Sequence, residues 1–220
     1  MLKLKHTIIF CSIFTVCDFS FHQSEIRMVI VMNIDFYKGN NKVFLILTGT
    51  GGSTKGYQNK YVTIANKINK VHGFTVYVVA IESGMWHNEK EYFDNIIKRI
   101  DEHSQLENIK IINIYAMGTS SGGSLLIHNG HRDPRIKKVL AINFVFNVNL
   151  NLFLDFCKHY NGEATLIVGK KDATFQFTNM IKSYVGDRFR VITINKADHY
   201  FTNMLDEYIK LPENYLFGDL

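Results

Sequence analysis

Six short apolar runs alternate with amphipathic segments along this chain, and that alternation limits the possible folds more than any other feature. The runs read KVFLILT, FTVYVVAI, IKIINIYAM, KKVLAINFV, ATLIVG and RFRVITI. Strands that are apolar on both sides must be covered on both sides. The pattern therefore predicts an α/β fold, a mostly parallel sheet with helices on both faces.

The chain is long enough for one such domain. Its 220 residues are 46% hydrophobic and 20% charged, which allows a packed core. No repeat or linker divides the sequence, and we predict a single domain over residues 28–220. At its start, the β-rich MVIVMNIDFY and the KGNN turn predict a hairpin that leads into the first apolar run.

Residues 1–27 allow three interpretations. A basic start and an apolar run from Thr7 to Cys17 resemble a signal peptide, but no small-residue cleavage site follows. A lipoprotein signal would need a small residue where Val16 stands. In the third interpretation, this leader does not belong to the working protein. The run is too short to span a bilayer. We predict a cytoplasmic protein and leave export or membrane tethering open.

Charge and cysteine content argue against several kinds of partner. The net charge is +5, but the Lys and Arg residues are scattered, without the clustered patch that nucleic-acid binding requires. Three cysteines with no CxxC pair provide neither a disulfide framework nor zinc-ligand spacing. We predict no nucleic-acid partner, no metal and no cofactor, and the sequence does not indicate an oligomeric state.

Two serines between glycines follow the third apolar run. Gly118-Thr119-Ser120-Ser121-Gly122 fits G-x-S-x-G, the sharp strand-to-helix turn that displays a nucleophilic hydroxyl. Large side chains two positions either side of the nucleophile would clash in that turn. Because Gly118 and Gly122 flank Ser120 symmetrically, Ser120 is the predicted nucleophile. The alternative is a glycine-rich turn with a helix-capping serine.

An acid and a histidine follow later runs. The loops after parallel strands meet at one edge of a sheet, and Asp172 follows ATLIVG while His199 follows RFRVITI. The rival acids are less well placed, since Asp187 precedes a strand and Asp198 adjoins the histidine. Asp172 could instead cap the next helix, and Asp198 could cap a helix that begins at His199.

In this order of glycine loop, serine, aspartate and histidine, the sequence resembles the α/β-hydrolase family from about Met28 to the C-terminus. The resemblance implies a triad in which His199 is the base for Ser120 and Asp172 orients the imidazole. Residues 197–201, ADHYF, look like the histidine loop of several small esterases and dienelactone-hydrolase-like proteins.

The glycine loop GTGGSTKG is similar in position to the family's first oxyanion-hole loop, with Thr48 where a histidine is common. The resemblance implies that the backbone N–H groups of Thr50 and Ser121 form the oxyanion hole. A nucleotide site is the competing interpretation. The loop lacks both the Walker spacing and the third glycine of G-x-G-x-x-G, which argues against it.

Only one helix separates the fourth and fifth runs, which implies an α/β-hydrolase fold without a cap domain. Trp86, with its neighbours Met85 and His87, follows the second run and is a candidate for substrate binding; surface packing fits equally well. We therefore predict a serine hydrolase that cleaves a small-molecule carboxylic ester or thioester through an acyl-enzyme. The alternatives are an acyltransferase or peptidase with the same triad, or a non-catalytic binding protein.

Overall fold

The computed structural model describes residues 32–83, 87–145 and 150–218. The predicted leader, residues 1–27, lies outside them. The strands are β1 (Ile34–Tyr37), β2 (Lys42–Thr50), β3 (Thr75–Ile81), β4 (Asn113–Thr119), β5 (Ile136–Ile142), β6 (Glu163–Gly169) and β7 (Phe189–Ile194). The helices are α1 (Lys60–His72), α2 (Glu89–Leu106), α3 (Ser121–Asn129), α4 (Leu150–His159), α5 (Thr178–Tyr184) and α6 (Leu205–Pro212).

These strands form one sheet in the order β1-β3-β2-β4-β5-β6-β7. β1 runs antiparallel to β3, and every other neighbouring pair is parallel. The α/β fold with a mostly parallel sheet is confirmed. After β2 the chain adds β3 on one side of that strand and β4 on the other, so the direction of strand addition changes between β2 and β4. In such sheets ligands bind in the crevice at the carboxyl ends of the two strands where this change occurs.

Alternate residues of each central strand enter different cores. In β2, Val43, Leu45 and Leu47 belong to one apolar cluster, and Phe44 and Ile46 to the other. Such alternation follows from the two-residue period of a strand. The first cluster includes residues of α2, α3, α4 and α5, and the second includes residues of α1 and α6. Helices therefore cover both faces, as predicted.

The predicted N-terminal hairpin is wrong. β1 pairs with β3, with Ile34 opposite Val79, and β2 has β3 and β4 as its neighbours. The turn after β1 is held at the start of β3, where Asn40 N–H donates to the Gly73 carbonyl at 2.7 Å. The Thr75 hydroxyl donates to the Asn40 carbonyl at 2.6 Å. The chain therefore crosses β3 before it enters β2.

The helix that Asp198 could cap at His199 does not form. α6 starts at Leu205, and His199 lies in a loop over residues 195–204, here called the histidine loop. The Asp198 carboxylate accepts hydrogen bonds from the N–H groups of Tyr200 and Thr202, at 3.1 and 2.9 Å. Local bonds of this kind compete with helical ones and favour a turn.

Residues 143–162 connect β5 to β6 and contain only α4 among the described elements. This connection is too short to contain a cap domain. Within the described ranges, no helix is both long and apolar enough to cross a membrane.

Candidate active site

Ser120 lies on a strained turn between β4 and α3. Its φ is 53° and its ψ is −121°, a conformation that residues other than glycine rarely adopt. A Cβ on Gly118 would overlap the Gly122 carbonyl, and a Cβ on Gly122 would overlap the Thr48 carbonyl. The two flanking glycines are therefore required by close backbone approach, for the reason that the sequence motif indicates.

Backbone hydrogen bonds hold this turn on both sides. Ser120 N–H donates to the Ile142 carbonyl of β5 at 2.8 Å, and the Ser120 carbonyl accepts from Ser124 N–H at 2.9 Å. α3 begins immediately afterwards, and all of its residues are buried. The Ser120 hydroxyl thus stands at the N-terminus of a helix, where the helix dipole stabilises negative charge.

The structure brings Ser120, His199 and Asp172 together. His199 Nε2 lies 3.0 Å from Ser120 Oγ, and its Nδ1 lies 2.5 Å from Asp172 Oδ2. The Asp172 side chain is 1% exposed and that of His199 is 34% exposed. A carboxylate beside Nδ1 favours the tautomer that is protonated there, which leaves Nε2 free to accept the serine proton.

The second oxygen of Asp172 is also satisfied. Oδ1 accepts hydrogen bonds from the backbone N–H and the hydroxyl of Thr174, both at 2.6 Å. Asp172 therefore caps the short helix that starts at residue 173, as one interpretation expected, and it binds His199 through its other oxygen. Thr174 was not among the residues predicted from the sequence, although a hydroxyl two residues after a helix-capping aspartate is a recognisable signal.

Neither rival acid is hydrogen-bonded to the His199 ring, whose two nitrogens face Asp172 and Ser120. Asp187 is exposed in the turn before β7. Hydrogen bonds from Thr202 and Tyr200 lower the pKa of the Asp198 carboxyl. The same bonds fold the backbone of the histidine loop around this carboxylate. Asp198 thus forms a local turn and does not cap a helix at His199.

Thr50 and Ser121, the two expected oxyanion-hole residues, are in contact. Ser121 N–H belongs to the first turn of α3, where backbone N–H groups have no partner within the helix. Thr50 N–H donates to the Ser121 side-chain oxygen at 2.6 Å, and the Thr50 hydroxyl donates to the same oxygen at 2.6 Å. This role of the Ser121 side chain was not predicted from the sequence, since the two residues are far apart in the chain.

Thr48, which stands where the family often has histidine, anchors the glycine loop. Its hydroxyl accepts from Ile81 N–H at 3.0 Å and donates to the Gly49 carbonyl at 3.0 Å. Gly51 N–H donates to the Ile81 carbonyl at 2.9 Å, with a φ of 70° that suits glycine. The loop is therefore held against β3 without the histidine.

A buried tyrosine, Tyr208, contacts the turn that carries Ser120. The Tyr208 hydroxyl lies 2.5 Å from Thr119 Oγ1, next to the nucleophile. Lys60 Nζ lies 4.1 Å from the centre of the Tyr208 ring, a cation–π contact. Burial lowers the pKa of Lys60 to about 8. Burial also raises the pKa of Tyr208 well above its ordinary value.

Exposed aromatic side chains flank the proposed base. Tyr200 is 78% exposed, and its ring meets that of His199 edge-on at 5.2 Å. Phe175, 37% exposed, follows Asp172 in the acid loop, residues 170–177. The candidate Trp86 and its neighbour Met85 lie outside the described residues, and His87 is exposed.

No group of three or more His, Cys, Asp or Glu side chains in the described part of the chain is arranged to hold a metal ion.

No protein-family model matches the sequence, and no curated protein matches it. Solved structures match its fold. Est1E from Butyrivibrio proteoclasticus is similar with a TM-score of 0.68, over 86% of this chain and 94% of that one, at 13% sequence identity. A dienelactone hydrolase from Anabaena variabilis gives 0.66, over 86% and 93%, at 14% identity.

A protein from Xanthomonas campestris, described as an α/β serine hydrolase without lid, is similar with a TM-score of 0.63. The match covers 86% of this chain and 89% of that one, at 12% identity. At these identities the similarity establishes the fold. The chain has the α/β-hydrolase fold without a cap domain.

Proposed function

We propose that this protein is a serine hydrolase that cleaves a carboxylic ester or thioester through an acyl-enzyme. The observation that carries the proposal is the continuous line from Ser120 Oγ through His199 to Asp172, with 3.0 and 2.5 Å between heavy atoms. Ser120 itself is partly exposed and lies on a strained turn at the N-terminus of α3. Strain of this kind persists only where the surrounding structure enforces it, and it clusters at functional sites.

In the first half of the proposed reaction, Ser120 Oγ attacks the carbonyl carbon of the substrate. His199 Nε2 takes the hydroxyl proton as the new C–O bond forms, and the carbonyl oxygen becomes an oxyanion. Asp172 stabilises the resulting imidazolium through Nδ1. The proton then passes from Nε2 to the leaving alcohol or thiol as the bond to the leaving group breaks, and an acyl-Ser120 ester remains.

In the second half, water replaces the alcohol. The water oxygen attacks the acyl carbon while His199 accepts one proton from the water. His199 then returns that proton to Ser120 Oγ as the bond between Oγ and the acyl carbon breaks. The products are a carboxylic acid and the free enzyme. Each oxyanion needs donors, and we assign these to the backbone N–H groups of Ser121 and Thr50. For this, Thr50 N–H must exchange its present partner, Ser121 Oγ, for the substrate oxygen.

Substrate class is proposed from the open edge and from fold neighbours. The partly exposed His199 and the exposed Tyr200 ring suit a small ester with an apolar or aromatic group. A second structure of Est1E holds ferulic acid. That neighbour and the dienelactone hydrolase support testing aromatic esters and lactones alongside simple alkyl esters and thioesters.

Labelling with a fluorophosphonate probe tests the proposal. We expect the wild-type protein and Ser121→Ala to be labelled and Ser120→Ala to stay unlabelled, because only Ser120 is activated by His199. A panel of p-nitrophenyl esters and acyl thioesters then identifies the acyl group. A folded wild-type protein that takes no label and hydrolyses none of the panel would contradict the proposal and favour a non-catalytic binding protein.

A further inference from the structure

The fully buried amide of Asn143 contacts the histidine loop and the end of β6. Its Oδ1 accepts a hydrogen bond from Gly169 N–H at 2.8 Å. Its Nδ2 donates to the carbonyl oxygens of Asp198 and His199 at 3.0 and 3.1 Å. The relative exposure of the residue is 0%. A buried amide with these bonds is costly to replace, since the freed partners lose hydrogen bonds without gaining water.

The same position connects the backbones of the other two proposed catalytic residues. The preceding residue, Ile142, accepts a hydrogen bond from Ser120 N–H at 2.8 Å. The carbonyl of Gly169 accepts one from Asp172 N–H at 3.0 Å, while its N–H binds the Asn143 amide. Asn143 is therefore connected to the backbone around each proposed catalytic residue. It bonds directly to the His199 carbonyl, it bonds to Gly169, which accepts from Asp172 N–H, and it follows Ile142, which accepts from Ser120 N–H.

The histidine loop needs such external contacts, because it has no helix or strand of its own. Lys196 and Phe201 both have positive φ, at 64° and 57°. Gly169 lies so close to the loop that a Cβ there would come within 2.5 Å of the Ala197 carbonyl oxygen. The amide of Asn143 binds the next two carbonyls, and so holds the loop at the residue that carries the imidazole.

We infer that Asn143 is a positioning residue, whose amide locks the histidine loop against the end of β6 so that His199 meets Ser120. The inference rests on the proposed function. The side chain of Asn143 bonds to backbone groups and not to the reacting atoms, so it acts through the His199 carbonyl. A displacement of about 1 Å in a reacting group lowers a rate about 100-fold. The amide is therefore expected to affect kcat more than KM.

Two variants separate the amide from the backbone. Asn143 has a φ of 45°, a conformation that asparagine and glycine adopt more readily than other residues. Asn143→Gly thus removes the side chain without adding backbone strain. Asn143→Asp keeps its size and the acceptor for Gly169, but sets an oxygen against two carbonyl oxygens unless the introduced carboxyl is protonated.

The chain offers a matched control in Asn129. This second buried asparagine, 4% exposed, donates to the Leu125 carbonyl within α3 at 3.3 Å and lies at the far end of that helix from Ser120. Asn129→Asp introduces the same chemical change away from the histidine loop. Because Arg132 donates to Asn129 Oδ1 at 3.5 Å, this control measures the effect of a buried carboxyl that has a cation beside it.

We expect Asn143→Gly to lower kcat on an active ester by about 100-fold, with KM within about twofold of the wild type. For Asn143→Asp, we expect the ratio of its kcat to that of the wild type to fall as pH rises, because ionisation turns the donor into a second acceptor. The ratio for Asn129→Asp should not change with pH.

Other ionisable groups near Asn143 also titrate in this pH series. Those on the acid and histidine loops are Lys170, Lys171, Asp172, Lys196, Asp198 and His199. All of these are present in the wild type and in every variant. The ratio of variant to wild type therefore isolates the introduced carboxyl.

A direct readout of the imidazole distinguishes failure of this inference from failure of the proposed function. We expect the ring ¹⁵N–¹H spectrum of His199 to lose its Nδ1–H signal in Asn143→Gly and to keep it in Asn129→Asp. Folded Asn143 variants with wild-type kcat, a flat pH ratio and an unchanged His199 signal would overturn the positioning role. If Asn143→Gly fails to fold, the pH ratio and the signal of Asn143→Asp decide. A wild-type protein without esterase activity would contradict the proposed hydrolase function. The His199 Nδ1–H signal would still test whether Asn143 positions the imidazole.

Discussion

The backbone N–H of Thr50 donates a hydrogen bond to Ser121 Oγ at 2.6 Å, so a group expected to bind an oxyanion already has a partner. The Thr50 hydroxyl donates to the same oxygen. A substrate carbonyl that approaches Ser120 therefore competes with the Ser121 hydroxyl for this donor. A typical hydrogen bond contributes about 1 kcal/mol net, so this is the free energy that the oxyanion loses to the bond between Thr50 and Ser121.

Ser121→Ala is expected to raise kcat/KM about threefold to tenfold, because it frees Thr50 N–H for the oxyanion at a gain of about 1 kcal/mol. Steady-state kinetics on the best ester measure this. Thr50→Val keeps the N–H and removes only the hydroxyl, and should stay within twofold of the wild type. A fall in kcat/KM for Ser121→Ala would instead show that the hydroxyl itself binds the oxyanion.

Asp172→Asn is expected to lower kcat by about 10³- to 10⁴-fold, since a neutral amide neither fixes the tautomer of His199 nor stabilises its cation. The fold should survive, because the amide oxygen still accepts from Thr174. The matched control is Asp187→Asn, the same change at an exposed acid before β7. Equal activity of the two variants would remove Asp172 from the mechanism.

Gly122→Ala is expected to destabilise the protein by about 2–3 kcal/mol and to prevent labelling by a fluorophosphonate. Its Cβ would come 2.5 Å from the Leu47 carbonyl oxygen, and neither backbone can retreat from a buried strand and helix. Gly186→Ala, where a Cβ meets nothing within 4 Å, should be neutral in thermal unfolding. A normally folded, labelled Gly122→Ala would contradict the proposed geometry of the turn.

Lys60→Met is expected to raise stability near neutral pH. Burial lowers the pKa of Lys60 from 10.5 to about 8, so the unfolded chain binds this proton at a higher pH than the folded one. The resulting destabilisation develops as pH falls from 10.5 to 8 and is complete below pH 8. Partial exposure and the Tyr208 ring reduce it to about 1 kcal/mol.

The measurement is thermal unfolding of Lys60→Met and wild type between pH 7 and pH 10. The gain in Tm should be largest below pH 8 and shrink as pH rises. Lys67→Met, at a lysine whose side chain is 40% exposed, serves as the control for removing one positive charge. A gain that is the same at every pH would mean that Met packs better, and that the charge has no part in it.

Hydrophobic periodicity predicts the parallel core of the sheet, and the residues that follow each strand predict where the proposed catalytic groups lie. Strands apolar on both faces can only be interior strands, and loops after parallel strands meet at one edge. Ser120, Asp172 and His199 come together for that reason. The glycines around Ser120 were equally readable, since the close backbone approach is a local requirement of the turn.

Other features depend on contacts between residues far apart in the chain, and these form only when the protein folds. β1 pairs with β3 in a sheet where Asn40 is bonded to the start of β3, and no local pattern in the sequence encodes that contact. The partner of Thr50 N–H and the three bonds of Asn143 likewise arise only when loops of different strands are packed together. Hydrogen bonds between loops depend on distances of tenths of an ångström, whereas hydrophobic periodicity specifies only which face is buried.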